Sequence, residues 1–228
     1  MLKQKKQNRL LKNNIMKNLI NSFIVCLGSF IIVACHDGKK TENDLEEKEC
    51  CKKETNTNVE ISNEIPEESL FNLTSDWETQ ENKVVKIQSF QNKITIAAMV
   101  FTHCEGACPR IVADIQRIEK SFTPEELKSI QFLLISMDPE RDTPERCREF
   151  AKEYQLNTNW TLISSSEDAT IEMANVLNVK VKKLSSGGFD HSNTIHVINQ
   201  QGLITYQQNG LEQEPEGTIE SVRNLLKK

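Results

Sequence analysis

Ile94 to Phe101 is an unbroken apolar run rich in β-branched side chains, a pattern that suits a strand buried on both faces of a sheet. It leads into Phe101-Thr102-His103-Cys104-Glu105-Gly106-Ala107-Cys108-Pro109, so two cysteines four residues apart fall where strand gives way to helix. Pro109 fits a first helical turn, where its missing N–H has no partner to lose. Ile111, Ile115, Ile118 and Phe122 then recur at helical spacing and mark a buried face. The alternation repeats downstream. Ile130–Ser136 reads as a second buried strand, Thr143-Pro144 caps and starts a helix, and Thr161–Ile163 reads as a short strand. Ser165 or Ser166 opens a helix to about Leu177, and Thr194–Asn199 and Leu203–Gln207 form a hairpin around Asn199-Gln200-Gln201-Gly202. Thr218–Leu226 closes the chain as a helix. This order predicts an α/β fold, a mixed sheet with helices on both faces. Leu70–Leu73 and Lys83–Ile87 read as two short edge strands, an N-terminal β-hairpin extension, and Thr123-Pro124-Glu125-Glu126 is a capping box opening a short helix.

The N-terminal third is different. Lys3, Lys5, Lys6, Arg9, Lys12 and Lys17 form a basic segment without acidic residues, and Leu19 to Val33 is apolar but interrupted by Asn21 and Ser22. That stretch is short and broken for a spanning helix and fits a signal peptide. It ends Ile32-Val33-Ala34-Cys35, which resembles a bacterial lipobox, so residues 1–34 read as a lipoprotein signal and Cys35 as the lipidated N-terminus. The alternative is an uncleaved membrane anchor. Both readings place the remainder outside the cytoplasm, in the cell envelope facing the periplasm or exterior. Residues 35–68 are polar and charged and read as a flexible tether, and residues 69–228 read as the folded domain. Hydrophobic residues make up only 37% of the chain, with the deficit in this lead-in, so one folded domain accounts for the composition. Losing the six basic residues of the signal takes the net charge from −5 to −11. An acidic chain repels phosphate backbones, which argues against a nucleic-acid partner.

Seven cysteines are present. Cys26 lies in the signal and Cys35 would carry lipid, leaving Cys50, Cys51, Cys104, Cys108 and Cys147. An odd count outside the cytoplasm argues against a closed disulfide scaffold. Cys147 shares a helix face with Phe150, Ala151 and Tyr154, as a core cysteine would. Adjacent Cys50 and Cys51 are either incidental thiols on the tether or soft-metal ligands.

Cys104 and Cys108 carry the chemistry. A helix N-terminus stabilises a thiolate, and residues four apart in a helical turn face the same way. Two soft sulfurs suit Cu(I), zinc or an iron–sulfur cluster, and an added imidazole favours copper. His191, in the Gly/Ser-rich loop Leu184–His191, is available for that role. Structural zinc would want a fourth protein ligand, and none is evident. The same two thiols suit disulfide exchange, and a purely structural pair is the third possibility. Asp138 and Asp190 are candidates to orient the site, because a ligating imidazole usually donates to a carboxylate or carbonyl; Asp138 equally suits a loop cap before Pro139. His103 reads as a solvent-facing loop residue, His196 as a packed or surface strand residue, and His36 as solvated.

Three motifs, in order, carry a resemblance. Phe101–Pro109 resembles the F-T-x-C-x-x-x-C-P signature of the SCO/SenC family, Met137–Pro144 its D-P-E-R-D-T-P loop, and Asp190-His191-Ser192 its D-H-S motif. The resemblance runs from about Ser69 to the C-terminus. It implies a thioredoxin-like fold, copper held by Cys104, Cys108 and His191, and a membrane-anchored role in assembling the CuA centre of cytochrome c oxidase, with the copper-site subunit as partner. Some relatives are thought to act as thiol–disulfide oxidoreductases, so an enzymatic role for Cys104 and Cys108 stays open beside the chaperone reading. A copper-sensing or copper-scavenging lipoprotein is a third reading, prompted by Cys50-Cys51. The chain departs from the family pattern at Glu105, where proline is frequent, and this puts a carboxylate beside the site.

Overall fold

The computed structural model describes residues 65–185 and 187–227. The signal-peptide reading of 1–34, lipidated Cys35, Cys50-Cys51 and all of the tether but its last four residues lie outside them. Those four lead into a turn in which the Ser69 amide donates to the Pro66 carbonyl. Among the described residues, no helix is long and apolar enough to cross a membrane.

Seven strands form the main sheet, in the spatial order Val84–Lys86 (β2), Asp76–Thr79 (β1), Trp160–Ser164 (β5), Ile130–Ser136 (β4), Ile94–Val100 (β3), Thr194–Ile198 (β8) and Ile204–Asn209 (β9). The centre is β3 (Ile94–Val100), β4 (Ile130–Ser136) and β5 (Trp160–Ser164), with β4 parallel to both neighbours. Parallel neighbours need crossovers. These are α1 (Ala107–Glu119) and α2 (Pro144–Glu153), while α3 (Glu167–Val176) and α4 (Glu216–Leu226) complete the helices. Every residue of β3 is buried. Since successive side chains point to opposite faces, both faces of the sheet are covered, and the mixed α/β architecture expected from the sequence is the one observed. β8 (Thr194–Ile198) runs antiparallel to β3, with Ala98 opposite Ile195, and returns as β9 (Ile204–Asn209). Antiparallel pairing brings the start of β8 beside the end of β3. The segment before β8 therefore reaches the carboxyl ends of β3 and β4, where open α/β sheets bind ligands.

Local chemistry explains the element ends. Thr143 accepts from the Arg146 amide, with Pro144 in the first turn, and Ser166 accepts from the Ala169 amide. Thr123 and Glu126 make the reciprocal bonds of a capping box, although the box opens only a 3-10 turn, Glu126–Ser129. Cys147 is buried, as its helix face implied.

Three expectations are corrected. Leu70–Leu73 is not a strand: Leu70–Asn72 is a 3-10 turn capped by Ser69, and the Leu73 amide donates back to the Leu70 carbonyl. The edge hairpin pairs β1 (Asp76–Thr79) with β2 (Val84–Lys86) instead, and Trp77 and Thr79 point inward. The helix expected near Pro109 begins at Ala107, with Gly106 as its N-cap, which places Cys108 inside the first turn. The loop expected to run to His191 ends instead in a strand, β7 (Phe189–His191), which pairs antiparallel with β6 (Val181–Lys183) in a second sheet. Strands of three residues, two of them lysines in β6, leave no periodicity to read.

Candidate metal centre

Cys104 lies in the turn between β3 and α1, and its amide donates to the Phe101 carbonyl at 3.2 Å. The Cys108 amide, one of the free donors of the helix start, points at the Cys104 sulfur at 3.5 Å. Burial works against ionisation of Cys104. The amides of Cys108, Gly106 and Ala107, together with the Cys108 thiol, outweigh it and hold this pKa below the ordinary thiol value. Cys108 is the opposite case. Its burial pushes its pKa far up despite a 3.4 Å hydrogen bond from the Phe101 amide, and the charge of Cys104 adds to the rise. The site thus holds one thiol poised to ionise and one that ionises only when a cation or a reaction draws off its proton.

His191 arrives from β7. Its Nε2 is 4.0 Å from the Cys108 sulfur, and its Nδ1 lies 3.2 Å from the Ser192 carbonyl. A carbonyl only accepts, so Nδ1 carries the proton and Nε2 turns a lone pair toward the sulfurs. Burial lowers the pKa of His191, opposed by the Ser192 carbonyl and by Asp190. The ring is therefore neutral at pH 7, as a metal ligand must be. Phe101 packs edge-on to it at 6.1 Å and tilts against Phe189 at 5.2 Å, forming an apolar wall.

The two aspartates stand elsewhere. Asp190 is exposed on β7, and the imidazole partner is the Ser192 carbonyl. Asp138 is 1% exposed and bonded by Arg141. Its neighbour Asp142 does more for the site. Buried at the end of the same loop, its carboxylate accepts from the Thr102 amide at 3.2 Å and from the hydroxyls of Thr102 and Ser136, both at 2.6 Å. Arg146 adds bonds to the Thr102 hydroxyl and carbonyl at 3.1 and 2.9 Å. Together they fix the backbone two residues before Cys104. His103, Asp138 and Asp142 each bring a ligand atom within 4.8 Å of one another, but the two carboxylates are already occupied by these donors and by Arg141. His196 is fully buried in β8.

The thiol asymmetry has a direct consequence. In the reduced, metal-free protein at pH 7.5, iodoacetamide is expected to modify Cys104 at least about tenfold faster than Cys108 or Cys147, since burial drives the Cys147 thiol to about 12 as well. Peptide mapping over a time course measures this, and equal rates for Cys104 and Cys108 would refute the asymmetry.

A family model described as SCO1/SenC matches residues 64–227. The SCO1 protein homolog of Bacillus subtilis (strain 168) is 26% identical over 143 residues, covering 61% of this chain and 74% of that protein. Among solved structures, a SCO1/SenC family lipoprotein from Bacillus anthracis str. Ames superposes with a TM-score of 0.62 at 24% identity, over 68% of this chain and 94% of that one. Bradyrhizobium japonicum ScoI with copper bound gives a TM-score of 0.57 at 21% identity, over 66% and 96%.

Proposed function

The chain belongs to the SCO1/SenC family, and from that premise we propose that its folded domain carries copper on Cys104, Cys108 and His191, from a tether lipidated at Cys35, and passes it to the CuA-site subunit of cytochrome c oxidase. The observation that carries this reading is the 4.0 Å approach of the His191 Nε2 to the Cys108 sulfur, with the Cys104 thiol beside it at the helix start. A soft ion bound about 2.3 Å from sulfur and about 2.0 Å from nitrogen, the values known for zinc, needs the two atoms roughly 3.5–3.7 Å apart. A shift of a few tenths of an ångström supplies that. The donor set is soft, and three protein ligands suit an ion that must leave again. Copper is cargo here. Cys104 presents a ready thiolate, Cys108 gives up its proton as the ion arrives, and the apolar wall of Phe101 and Phe189 limits water on one side. The copper-bound ScoI relative and the lipoprotein relative support the cargo and the anchor, respectively.

The test is a cuprous-copper titration of the reduced protein against a chromophoric chelator. The wild type is expected to bind one ion, and His191→Ala to bind at least about 100-fold more weakly, the upper end of what loss of even an outer partner costs. Unchanged affinity in His191→Ala sinks the three-ligand reading.

The unequal thiols favour a second activity on the same residues. The Cys104 thiolate attacks a target disulfide, forming a mixed disulfide and releasing one target thiolate. Cys108 then loses its proton and attacks the Cys104 sulfur, which closes the Cys104–Cys108 disulfide and frees the second target thiolate. Two electrons pass from the pair to the target. In this role His191 is dispensable, so a reductase assay on the same His191→Ala protein separates the two activities.

A further inference from the structure

We propose that Arg141 is a positioning residue for His191, acting through the β6–β7 hairpin; the proposal rests on the three-ligand reading above. Of the trio, His191 alone is carried on the separate β6–β7 hairpin, whereas Cys104 and Cys108 lie in the turn and helix that directly follow β3. Its hairpin is rooted where the Ser192 amide donates to the Lys180 carbonyl at 3.0 Å and the Ser192 hydroxyl accepts from the Lys180 amide at 3.2 Å. From that root the arm runs out through the pairs Val181–His191, Lys182–Asp190 and Lys183–Phe189 to a tip where the Leu184 amide donates to the Gly188 carbonyl and the Gly187 amide to the Leu184 carbonyl. Packing beneath the arm is incomplete. A cavity of about 220 Å³ separates it from α3 and the loop after β4, lined on the arm by Val181, Lys183 and Phe189.

The tip is tied to the loop after β4. The Arg141 guanidinium donates from Nε to the buried carboxylate of Asp138 and from Nη2 to the Gly187 carbonyl at the tip. Asp138 is in turn fixed to the body, its amide donating to the Ser136 hydroxyl at 3.0 Å and its carbonyl accepting from the Arg141 and Asp142 amides. One planar fork thus joins the loop after β4 to the far end of the lever that carries the imidazole, geometry that arginine supplies and lysine does not. The nearby Lys183–Glu140 pair at 2.7 Å has both partners more than half exposed and contributes little. A lever held at its root and tip presents the Nε2 of His191 at a defined distance from Cys108. Released at the tip, it moves over the cavity and the third ligand arrives less often.

The variant that separates this role from mere neutralisation of Asp138 is Arg141→Lys, which keeps the positive charge beside the carboxylate and loses the two-ended fork. In cuprous-copper competition titrations of the full chain, Arg141→Lys is expected to weaken binding about tenfold. The cupric form is expected to show a changed nitrogen hyperfine pattern by electron paramagnetic resonance. Placed on His191→Ala, the same substitution is expected to have no further effect, because a positioning residue has nothing left to position. If Arg141→Lys fails to fold, Asp138→Asn/Arg141→Met takes its place, since it removes both charges together, and the same two outcomes are expected. Affinity unchanged on the wild-type background overturns the proposal, as does an equal loss on both backgrounds. Should His191→Ala itself bind copper like the wild type, the three-ligand reading falls and this proposal falls with it.

Discussion

Asp142→Ala is expected to destabilise the domain by about 3–5 kcal/mol and to loosen the turn that presents Cys104. The carboxylate is 1% exposed and gathers the Thr102 amide, the Thr102 hydroxyl and the Ser136 hydroxyl. A hydrogen bond to a charged group is worth roughly 1.5–3 kcal/mol, and a buried donor left without its acceptor bears its desolvation cost in full. The hydroxyls can rotate toward other partners, but the Thr102 amide cannot, because the backbone fixes its direction. The pieces are not additive and the two hydroxyls can find other partners, so the realistic figure lies near or below the low end of the simple sum of about 4.5–9 kcal/mol. The contacts bridge 40 residues, from Thr102 to Asp142. Their loss therefore unties the turn after β3 from the loop after β4, the two loops that build the sulfur side of the site. Urea unfolding monitored by tryptophan fluorescence gives the stability change. Asp142→Asn, which keeps one acceptor oxygen, is expected to lose less than half as much. A value for Asp142→Ala within about 1 kcal/mol of the wild type would mean that Asp142 does not hold the loop.

The parts of the fold legible in the sequence are those with a strong local cause. β3 and β4 are continuous apolar runs because both their faces are covered, and α2 and α3 announce themselves through Thr143-Pro144 and Ser166. Among the short elements, β1, β6 and β7 were not legible. β1 buries only Trp77 and Thr79 between charged neighbours, too few residues to establish a period. β6 and β7 are held by each other and by contacts distant in sequence, so nothing local marks them. The site divides the same way. The spacing of Cys104 and Cys108 and the helix after them could be read directly. His191 entered through its resemblance to a family motif, since no local pattern ties it to residues more than 80 positions earlier. Asp142 and Arg141 sat in plain view within Met137–Pro144. Their work is done through bonds to Thr102 and Gly187, which only the folded chain brings within reach. Sequence separation, more than residue type, set the boundary of what could be read.

Acidification is expected to weaken the domain by about 3 kcal/mol through one residue remote from the sulfurs. His196 on β8 is fully buried, and Gln207 fixes its tautomer. The Gln207 side-chain nitrogen also donates to the Leu177 carbonyl at 3.3 Å, which sets the amide's orientation, and it lies 3.2 Å from the His196 Nδ1. That ring atom therefore accepts, so the ring's single proton sits on Nε2, a buried atom with no hydrogen-bond partner among the described residues. A second proton would place a charge in the core with nothing to balance it, and burial accordingly lowers the pKa from 6.5 to about 4. The unfolded chain takes up that proton below pH 6.5 while the folded one refuses it until about pH 4. Stability from this residue is whole above pH 6.5 and falls steadily between pH 6.5 and 4. Each pH unit across that window removes about 1.4 kcal/mol, so the loss by pH 4 is about 3 kcal/mol. His196→Leu fills a similar volume and removes both the titration and the partnerless donor. It is expected to match or exceed the wild type at pH 7, and the advantage should widen as pH falls. Urea midpoints for the two proteins at pH 7, 6, 5 and 4.5 isolate the effect, since every other titrating group is common to both. Parallel pH profiles would mean that His196 accepts its proton in the folded state as readily as in the unfolded one.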